Sequence, residues 1–277
     1  MDKNLLDSLY RSFLIEDIGR GDLTSESIFS PEQTGSADIV ARQSFIVAGA
    51  EIIGGRVFAV QNPVIEISNP VADAKPVQAG DVLFSVQGPV IDLLKAERVA
   101  LNLLQRISGI ATFTATFVDK VKQYPVRVCD TRKTTPGLRM LEKYGVVVGG
   151  GSNHRFNLTD GILIKDNHIA ACGSIVDAVE RVRRKVPHTI RVEVETDTLD
   201  QVQECLNCGV DIIMLDNMNP AMMREAVEII DGKALVEASG NINLDNIGEV
   251  TQSGVDIISI GALTHSAPAY DIGMDWS

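Results

Sequence analysis

Residues 126–139 have the sequence VRVCDTRKTTPGLR, which begins a pattern of strands and helices that continues through most of the remaining chain. The β-branched run at 126–129 predicts a short strand. Two adjacent cations, Arg132 and Lys133, follow its expected end, with threonines and a Pro-Gly turn after them. A rigid strand end that carries cations and hydroxyl groups predicts a site for an anionic ligand.

The distribution of charge limits the class of that ligand. The whole chain has a formal net charge of −12, whereas the segment from Arg127 to Lys165 has seven Lys or Arg against three Asp or Glu. Because nucleic acid and anionic membranes repel so acidic a chain, the local excess favours a small anionic ligand in a focused positive pocket. A solvated basic loop is the usual alternative for a charge run, but the interleaved Gly, Pro and Thr argue against it.

Length and composition indicate a globular protein of one large domain or one domain with a smaller companion. The chain has 277 residues, of which 45% are hydrophobic. No stretch resembles a membrane span, and Met1–Asn4 lacks the features of a signal peptide, so we expect a cytoplasmic protein. We expect all four cysteines to be reduced thiols, because no second pair completes a zinc site with Cys205 and Cys208. A metal or redox role for that pair is the alternative.

The first part of the chain predicts a separate α+β domain. Apolar residues at helical spacing over 5–14 predict a helix that ends in the Gly-rich segment 16–24. A second helix is expected over 48–58. Short runs between Gly, Pro and Asn turns predict antiparallel strands at 37–48, 64–68 and 81–86. We therefore expect an α+β sandwich domain over residues 1–112, with the C-terminal tail 266–277 packing back on it.

A longer helix is predicted from Val90 to Thr112, and it carries Arg98 among leucines. An arginine in that position either extends along the surface into water or reaches across an interface. From the residues alone, the first outcome is the more common.

Beyond Thr112 the chain alternates helical patterns with short β-branched runs. These runs lie at 126–130, 161–165, 190–195, 211–216, 234–238 and 256–260. The alternation predicts βα units and a parallel sheet. Six or seven units in about 150 residues favour a barrel, and the repeated sequence GVDII at 209–213 and 254–258 fits two units of one barrel. The predicted fold class is α/β, with an open, TIM-like parallel barrel of six to seven strands over residues 113–265.

Chemistry in such barrels gathers at the carboxyl ends of the strands. The expected strand ends carry Arg132 and Lys133, Lys165 and Asp166, Glu195, Asp216 and Asn217, Ser239 and Gly240, and Gly261. Guanidinium groups, here Arg132 and Arg155, suit a polycarboxylate because each binds a carboxylate through two hydrogen bonds. Acids such as Glu195 and Asp216 suit magnesium or sugar hydroxyls. Small residues at the last two strands let backbone N–H groups approach a phosphate, so the set predicts a carboxylate ligand and a phosphorylated sugar.

Four longer motifs carry a family resemblance. They are DTRKTTPGLR at 130–139, GGGSNHR at 149–155, IKDNH at 164–168 and EASG at 237–240, supported by the shorter segments 16–24, 96–98, 108–112 and 261–265. In these motifs the chain closely resembles quinolinate phosphoribosyltransferase, also called carboxylating nicotinate-nucleotide pyrophosphorylase. The resemblance spans the whole chain.

This resemblance implies transfer of a phosphoribosyl group from phosphoribosyl pyrophosphate (PRPP) to the ring nitrogen of quinolinate. Pyrophosphate and CO2 would leave, and nicotinate mononucleotide would form for NAD biosynthesis. The resemblance also implies Mg²⁺ as cofactor and a homodimer in which Arg98 reaches the neighbouring active site, which replaces the surface interpretation of that arginine. Association beyond the dimer stays open.

Roles for individual residues are likewise implied by the resemblance. The quinolinate carboxylates would be held by Arg98, Arg132, His154, Arg155 and Lys165. Lys133 would contact the phosphoribosyl substrate. Glu195 and Asp216 would bind the ribose of this substrate, and they would bind magnesium mostly through water and PRPP. Ser239, Gly240 and Gly261 would bind its phosphate.

The expected mechanism has two steps in which the protein must stabilise charge or supply a proton, namely loss of pyrophosphate and decarboxylation. Loss of pyrophosphate leaves positive charge on the ribose carbon, which Glu195 and Asp216 would stabilise. Decarboxylation then needs a proton, for which Lys165 or a nearby water is the expected donor. The adjacent His168 is expected to be structural, and the Gly-rich turn 149–151 is a candidate lid.

Three other functions remain open from the sequence. A lysine at a barrel strand end also serves Schiff-base aldolases, although an aldolase would not need the surrounding guanidinium groups. A relative encoded with molybdate transporters would use a different phosphoribosyl acceptor. A non-catalytic ligand-binding paralogue would not need the intact set of strand-end residues.

Overall fold

The computed structural model describes residues 2–277, which divide into two compact units. One unit contains the chain up to Phe113 together with Ala267–Ser277, and the other is Thr114–Ser266. The first holds an antiparallel sheet and the second a six-stranded parallel sheet with its helices. The predicted fold class is therefore confirmed.

The first unit combines helices with short antiparallel strands. Its helices are α1 (Lys3–Ile18), α2 (Leu23–Ile28), a π-helix (Ala50–Gly55), α3 (Arg56–Gln61) and the start of α4 (Val90–Val121). Its strands are β1 (Thr34–Ala41), β2 (Phe45–Ile46), β3 (Glu66–Ser68), β4 (Pro76–Val77), β5 (Val82–Pro89) and, at the C-terminus, β12 (Ile272–Trp276). The main sheet has the order β12-β1-β5-β3, and β2 pairs with β4. The tail strand β12 thus lies at the edge beside β1, with Ala37 opposite Trp276.

Two elements of the first unit differ from the sequence prediction. The strand expected over 37–48 is divided into β1 and β2, because the chain bends at Arg42, whose backbone N–H donates to the Asp271 carbonyl of the tail. Helix α4 does not end at Thr112 but runs to Val121. Gly109 lies inside this helix, and a Cβ there would lie 1.9 Å from the Pro268 carbonyl oxygen, so glycine permits the tail to cross the helix closely.

The second unit is built from βα repeats. Its strands are β6 (Arg127–Cys129), β7 (Ile162–Ile164), β8 (Val192–Thr196), β9 (Ile212–Asp216), β10 (Leu235–Ser239) and β11 (Ile257–Ser259). Its helices are α5 (Arg139–Val148), α6 (Asp166–Cys172), α7 (Ile175–Arg183), α8 (Leu199–Cys208), α9 (Pro220–Ile230), α10 (Ile247–Thr251) and α11 (Ala262–His265). All neighbouring strands are parallel in the order β6-β11-β10-β9-β8-β7.

Strand register and helix capping fix where the functional residues lie. Ser239 is opposite Asp216 across the β10–β9 pair, so two expected strand-end residues become neighbours. Thr198 caps α8 in a reciprocal capping box with Gln201, and Asn219 caps α9. These caps start each helix within a few residues of the preceding strand, which keeps the strand ends clear for a site.

Among residues 2–277, no helix combines the length and the apolar character needed to span a membrane.

Candidate active site

The carboxyl-terminal side of the parallel sheet borders a cavity of about 510 Å³, called here the substrate cavity. Nine predicted site residues line it: Arg132, Lys133, His154, Arg155, Lys165, Glu195, Asp216, Ser239 and Gly240. The fold therefore brings together cations, acids and small residues that are spread over more than 100 positions of the chain.

Two predicted site residues do not line the substrate cavity. Gly261 lies beside it, because a Cβ at this position would be 2.8 Å from Cδ of Lys133. Arg98 lies on α4, with its side chain 58% exposed and its Nη2 3.8 Å from Oε1 of Glu97.

Two guanidinium groups give the substrate cavity its anion-binding character. Nε of Arg132 is buried without a hydrogen-bond partner, and Nη1 of Arg155 donates to the Gly161 carbonyl at 2.8 Å. Burial, followed by the positive charge of Arg132, lowers the pKa of Arg155 below its usual range. Partly desolvated cations that repel each other favour a bound anion with carboxylate geometry.

Lys165 lines the same cavity as these arginines and is paired with an acid. Its Nζ donates to Oε2 of Glu195. Its backbone N–H donates to Nδ1 of His168 at 2.9 Å, so His168 forms part of the cap of α6. This hydrogen bond supports the structural role expected for His168. Glu195 lies one position before the last residue of β8, rather than at its end as predicted.

A second, smaller cavity of about 280 Å³ adjoins these acids and is called here the acidic cavity. Four carboxylates line it, those of Asp166, Glu195, Asp197 and Asp216. Glu195 and Asp216 line the substrate cavity as well. A set of ligands made of carboxylate oxygens fits Mg²⁺, which prefers oxygen and keeps several waters for substrate phosphates.

The turn after β10 provides close access to backbone. Gly240 has φ = 90°, a conformation that side-chain-bearing residues rarely adopt, and a Cβ there would lie 2.2 Å from Oδ1 of Asn217. Asn217 and Asn241 also have positive φ and are hydrogen-bonded to each other at 2.9 Å. This packed turn suits a phosphate, which backbone N–H groups can approach without side-chain obstruction.

A buried ion pair holds the segment that carries His154 and Arg155. Nζ of Lys143 donates to Oδ1 of Asp130 at 2.5 Å and to the His154 carbonyl at 2.9 Å. Asp130 also accepts hydrogen bonds from the Asn153 side chain at 2.6 Å and from the His154 backbone N–H at 2.8 Å. The conformation of this segment is therefore set by charge pairing inside the unit rather than by its own sequence.

The imidazole of His154 is held on both sides by protein groups. Nδ1 accepts the backbone N–H of Arg155 at 2.8 Å, so the ring proton is on Nε2. Nε2 lies 3.2 Å from Oε2 of Glu193 and 3.7 Å from Oε1 of Glu237. A ring nitrogen that carries a proton has no lone pair to offer a metal. The group formed by His154, Glu193 and Glu237 therefore differs from the acidic cavity, whose ligands are all carboxylates.

Comparisons with known proteins agree with this geometry. The chain matches the model of the quinolinate phosphoribosyl transferase N-terminal domain over residues 22–108 and that of the C-terminal domain over 110–275. The chain belongs to the quinolinate phosphoribosyltransferase family. The resemblance and the pentosyltransferase class expected from its sequence are confirmed.

Individual members of the quinolinate phosphoribosyltransferase family match along nearly the whole chain. A probable carboxylating nicotinate-nucleotide pyrophosphorylase of Bacillus subtilis is 47% identical, with 98% of this chain and 93% of the relative covered. The carboxylating nicotinate-nucleotide pyrophosphorylase of Mycobacterium leprae is 40% identical, covering 96% and 95%. The crystal structure of the nicotinate-nucleotide pyrophosphorylase from Ehrlichia chaffeensis aligns with a TM-score of 0.92 at 41% identity, covering 98% of each chain.

Membership of this family does not favour the aldolase, the molybdate-linked relative or the non-catalytic paralogue.

Several buried charged residues of this quinolinate phosphoribosyltransferase fold escaped the sequence prediction. Lys143, Glu193 and Glu237 are all nearly or fully buried. A signal for the two acids exists, because Glu193 precedes Glu195 by two positions and Glu237 precedes Ser239 by two. Alternate residues of a strand share one face, so each acid points to the same side as a predicted site residue. Nothing comparable marks Lys143, which lies in an ordinary amphipathic helix.

Proposed function

We propose that this chain transfers the phosphoribosyl group of PRPP to the ring nitrogen of quinolinate, with release of pyrophosphate and CO2 and formation of nicotinate mononucleotide for NAD biosynthesis. The observation that carries the proposal is the substrate cavity, where a pair of guanidinium groups faces a set of carboxylates and a glycine turn. The guanidinium groups, the carboxylates and the glycine turn are all used by a ligand pair that offers carboxylates, a sugar that becomes positively charged during the reaction, and phosphates.

The arginine pair would hold the quinolinate carboxylates. Arg132 and Arg155 offer planar forks for two adjacent carboxylates, and Lys165 adds a more mobile charge. His154, which also lines the substrate cavity, is the remaining member of this quinolinate group in the proposal. Holding both carboxylates fixes the ring nitrogen relative to the sugar, which lowers the entropic cost of the transfer.

The acids and the glycine turn would bind the other substrate. Glu195 and Asp216 would contact the ribose and stabilise the positive charge that develops on its carbon as pyrophosphate leaves. Mg²⁺, when bound in the acidic cavity, would neutralise the leaving pyrophosphate. Lys133 would contact the phosphoribosyl substrate, while Ser239, Gly240 and Gly261 would accept its phosphate.

Arg98 would complete the site from a second copy of the chain. Its exposed position on α4 leaves the guanidinium group available to a partner, and we propose a homodimer in which it reaches the neighbouring quinolinate. We also propose that the enzyme acts in the cytoplasm.

The decisive assay incubates the protein with PRPP, Mg²⁺ and either quinolinate or nicotinate, and follows both CO2 and pyrophosphate. The proposal predicts equal amounts of CO2 and pyrophosphate with quinolinate and neither with nicotinate. Pyrophosphate release with nicotinate instead would indicate a different acceptor, and no release from folded protein with either acid would refute the proposal.

A further inference from the structure

Two carboxylates are buried in the interior of the parallel sheet of the second unit, beneath the groups assigned to substrate binding. Glu193 is 4% exposed and Glu237 is 1% exposed. Oε1 of each has no hydrogen-bond partner within the chain. Burying a carboxylate is costly unless it is paired, and two adjacent ones repel each other, so this arrangement requires an explanation.

The two acids share a single nearby imidazole. His154 carries its ring proton on Nε2, which donates to Oε2 of Glu193 at 3.2 Å and lies 3.7 Å from Oε1 of Glu237. One N–H cannot satisfy two ionised carboxylates. Acid pairs in such surroundings commonly hold one proton between them.

Glu237 is the more deeply buried member of the pair. Burial, followed by the negative charge of Glu193, raises the pKa of Glu237 to about 7. The neighbouring His154 and Arg127 and the hydroxyl of Ser259 act in the opposite direction and lower this pKa. A large fraction of Glu237 is therefore protonated near neutral pH.

The other titratable group facing Glu237 is neutral. Burial raises the pKa of the Cys129 thiol on β6 to about 12. This thiol does not alter the charge of the pair at neutral pH.

Glu237 lies between two cavities. It lines the substrate cavity and also a cavity of about 420 Å³ on the opposite side of the strands, called here the lower cavity. The lower cavity is lined by residues at the amino-terminal ends of the strands, among them Arg127, Ile162, Ile212, Leu235 and Ile257. A cavity of this volume that is lined in part by polar and charged side chains, among them Asp160 and Arg191, has room for water, so a proton taken from Glu237 on the substrate side can be replaced from the other side.

Resting on the proposed function, we propose that Glu237 donates the proton that replaces the carboxylate lost from quinolinate. The bond between the ring carbon and the carboxylate breaks, CO2 leaves, and the electron pair stays on the ring carbon. That carbon takes the proton of the Glu237 carboxyl group, which becomes a carboxylate beside the Nε2–H of His154. Water in the lower cavity returns the proton.

Glu237 is better suited to this role than Lys165, the donor expected from the sequence. The Nζ of Lys165 is already engaged in a hydrogen bond to Glu195. A neutral carboxyl group at the base of the substrate cavity also avoids repelling a dicarboxylate.

The test separates phosphoribosyl transfer from decarboxylation in a single turnover, with enzyme in excess over PRPP and quinolinate saturating. Glu237→Gln keeps the size and polarity of the side chain but has no acidic proton. The variant is expected to release pyrophosphate within a few-fold of the normal rate, whereas CO2 release slows at least about 100-fold, the size of a general-acid contribution. The undecarboxylated quinolinate mononucleotide should accumulate and can be identified by mass.

The matched control is Glu180→Gln, which makes the same chemical change at an exposed ion pair with Arg184 on α7. This control should release both products at normal rates. If Glu237 were only structural, Glu237→Gln would slow both products together and their ratio would stay at one; that result would overturn the proposal.

A second measurement uses the unmodified enzyme and does not depend on the variant folding. Because protonated Glu237 is the donor, the ratio of the CO2 rate to the pyrophosphate rate should fall as pH rises through about 7. A constant ratio from about pH 6 to about pH 8 would contradict the assignment. Failure of the proposed function has a different signature, the absence of pyrophosphate release from quinolinate in the unmodified enzyme.

Discussion

The ion pair between Lys143 and Asp130 offers the sharpest test of how the site is held. Both side chains are 0% exposed, and Nζ of Lys143 also donates to the His154 carbonyl at 2.9 Å. Replacing Lys143 with Met keeps most of the length of the unbranched side chain and removes its charge. Asp130 then retains the Asn153 and His154 donors but loses its buried counter-charge.

The expected cost is large. Breaking a buried pair by removing one partner destabilises proteins by about 3–5 kcal/mol. The whole free energy of unfolding of a typical protein is only about 5–15 kcal/mol. Lys143→Met should therefore lower the urea midpoint of the chain substantially, as followed by circular dichroism, and quinolinate turnover should fall because Arg155 is no longer held.

Lys122→Met is the matched control for this prediction. It makes the same substitution and breaks the Lys122–Asp119 pair, whose side chains are 70% and 71% exposed. Exposed pairs contribute about 0–1 kcal/mol, so the midpoint should hardly move. Adding Asp130→Asn to Lys143→Met removes the unpaired charge and should recover part of the loss. The reasoning would be refuted by a Lys143→Met protein no less stable than Lys122→Met.

Three further predictions concern the two substrates and the metal. Arg132→Ala should weaken quinolinate binding by about 1.5–3 kcal/mol, the contribution of a charged hydrogen bond, and leave the KM for PRPP nearly unchanged; equal losses for both substrates, measured by steady-state kinetics, would contradict the clamp. Gly240→Ala should cost about 1–3 kcal/mol of stability and raise the KM for PRPP, because the new Cβ meets Asn217. Gly209→Ala, at φ = 62° in open space, is its control and should affect stability alone. Chelation of Mg²⁺ should abolish pyrophosphate release, and added Mg²⁺ should restore it; activity that survives chelation would exclude the acidic cavity as a metal site.

Much of the site could be predicted because strand ends in a parallel barrel converge whatever their separation in the chain. The run before Asp130 and the polar residues after it put Arg132 and Lys133 at a strand end, and these two line one cavity with Lys165, Asp216 and Ser239. Local pattern suffices here because βα repeats form a parallel sheet with right-handed connections, and the carboxyl ends of its strands lie on one side.

The remaining features depend on contacts that local sequence does not encode. Lys143 and Glu237 belong to residue types that usually lie at the surface, and only partners distant in the chain make their burial tolerable. Gly109 is needed inside α4 because the tail crosses the helix closely there, a contact that the helical pattern does not show. The role proposed for Arg98 involves a second chain, which a single sequence does not describe.

The most direct test of the proposed reaction uses quinolinate labelled with ¹³C in the carboxylate next to the ring nitrogen. With PRPP and Mg²⁺, the label should appear quantitatively in CO2, and the nucleotide product should be unlabelled nicotinate mononucleotide, formed in equal amount to pyrophosphate. A labelled nucleotide as the final product of the unmodified enzyme, or pyrophosphate release that does not depend on quinolinate, would contradict the account.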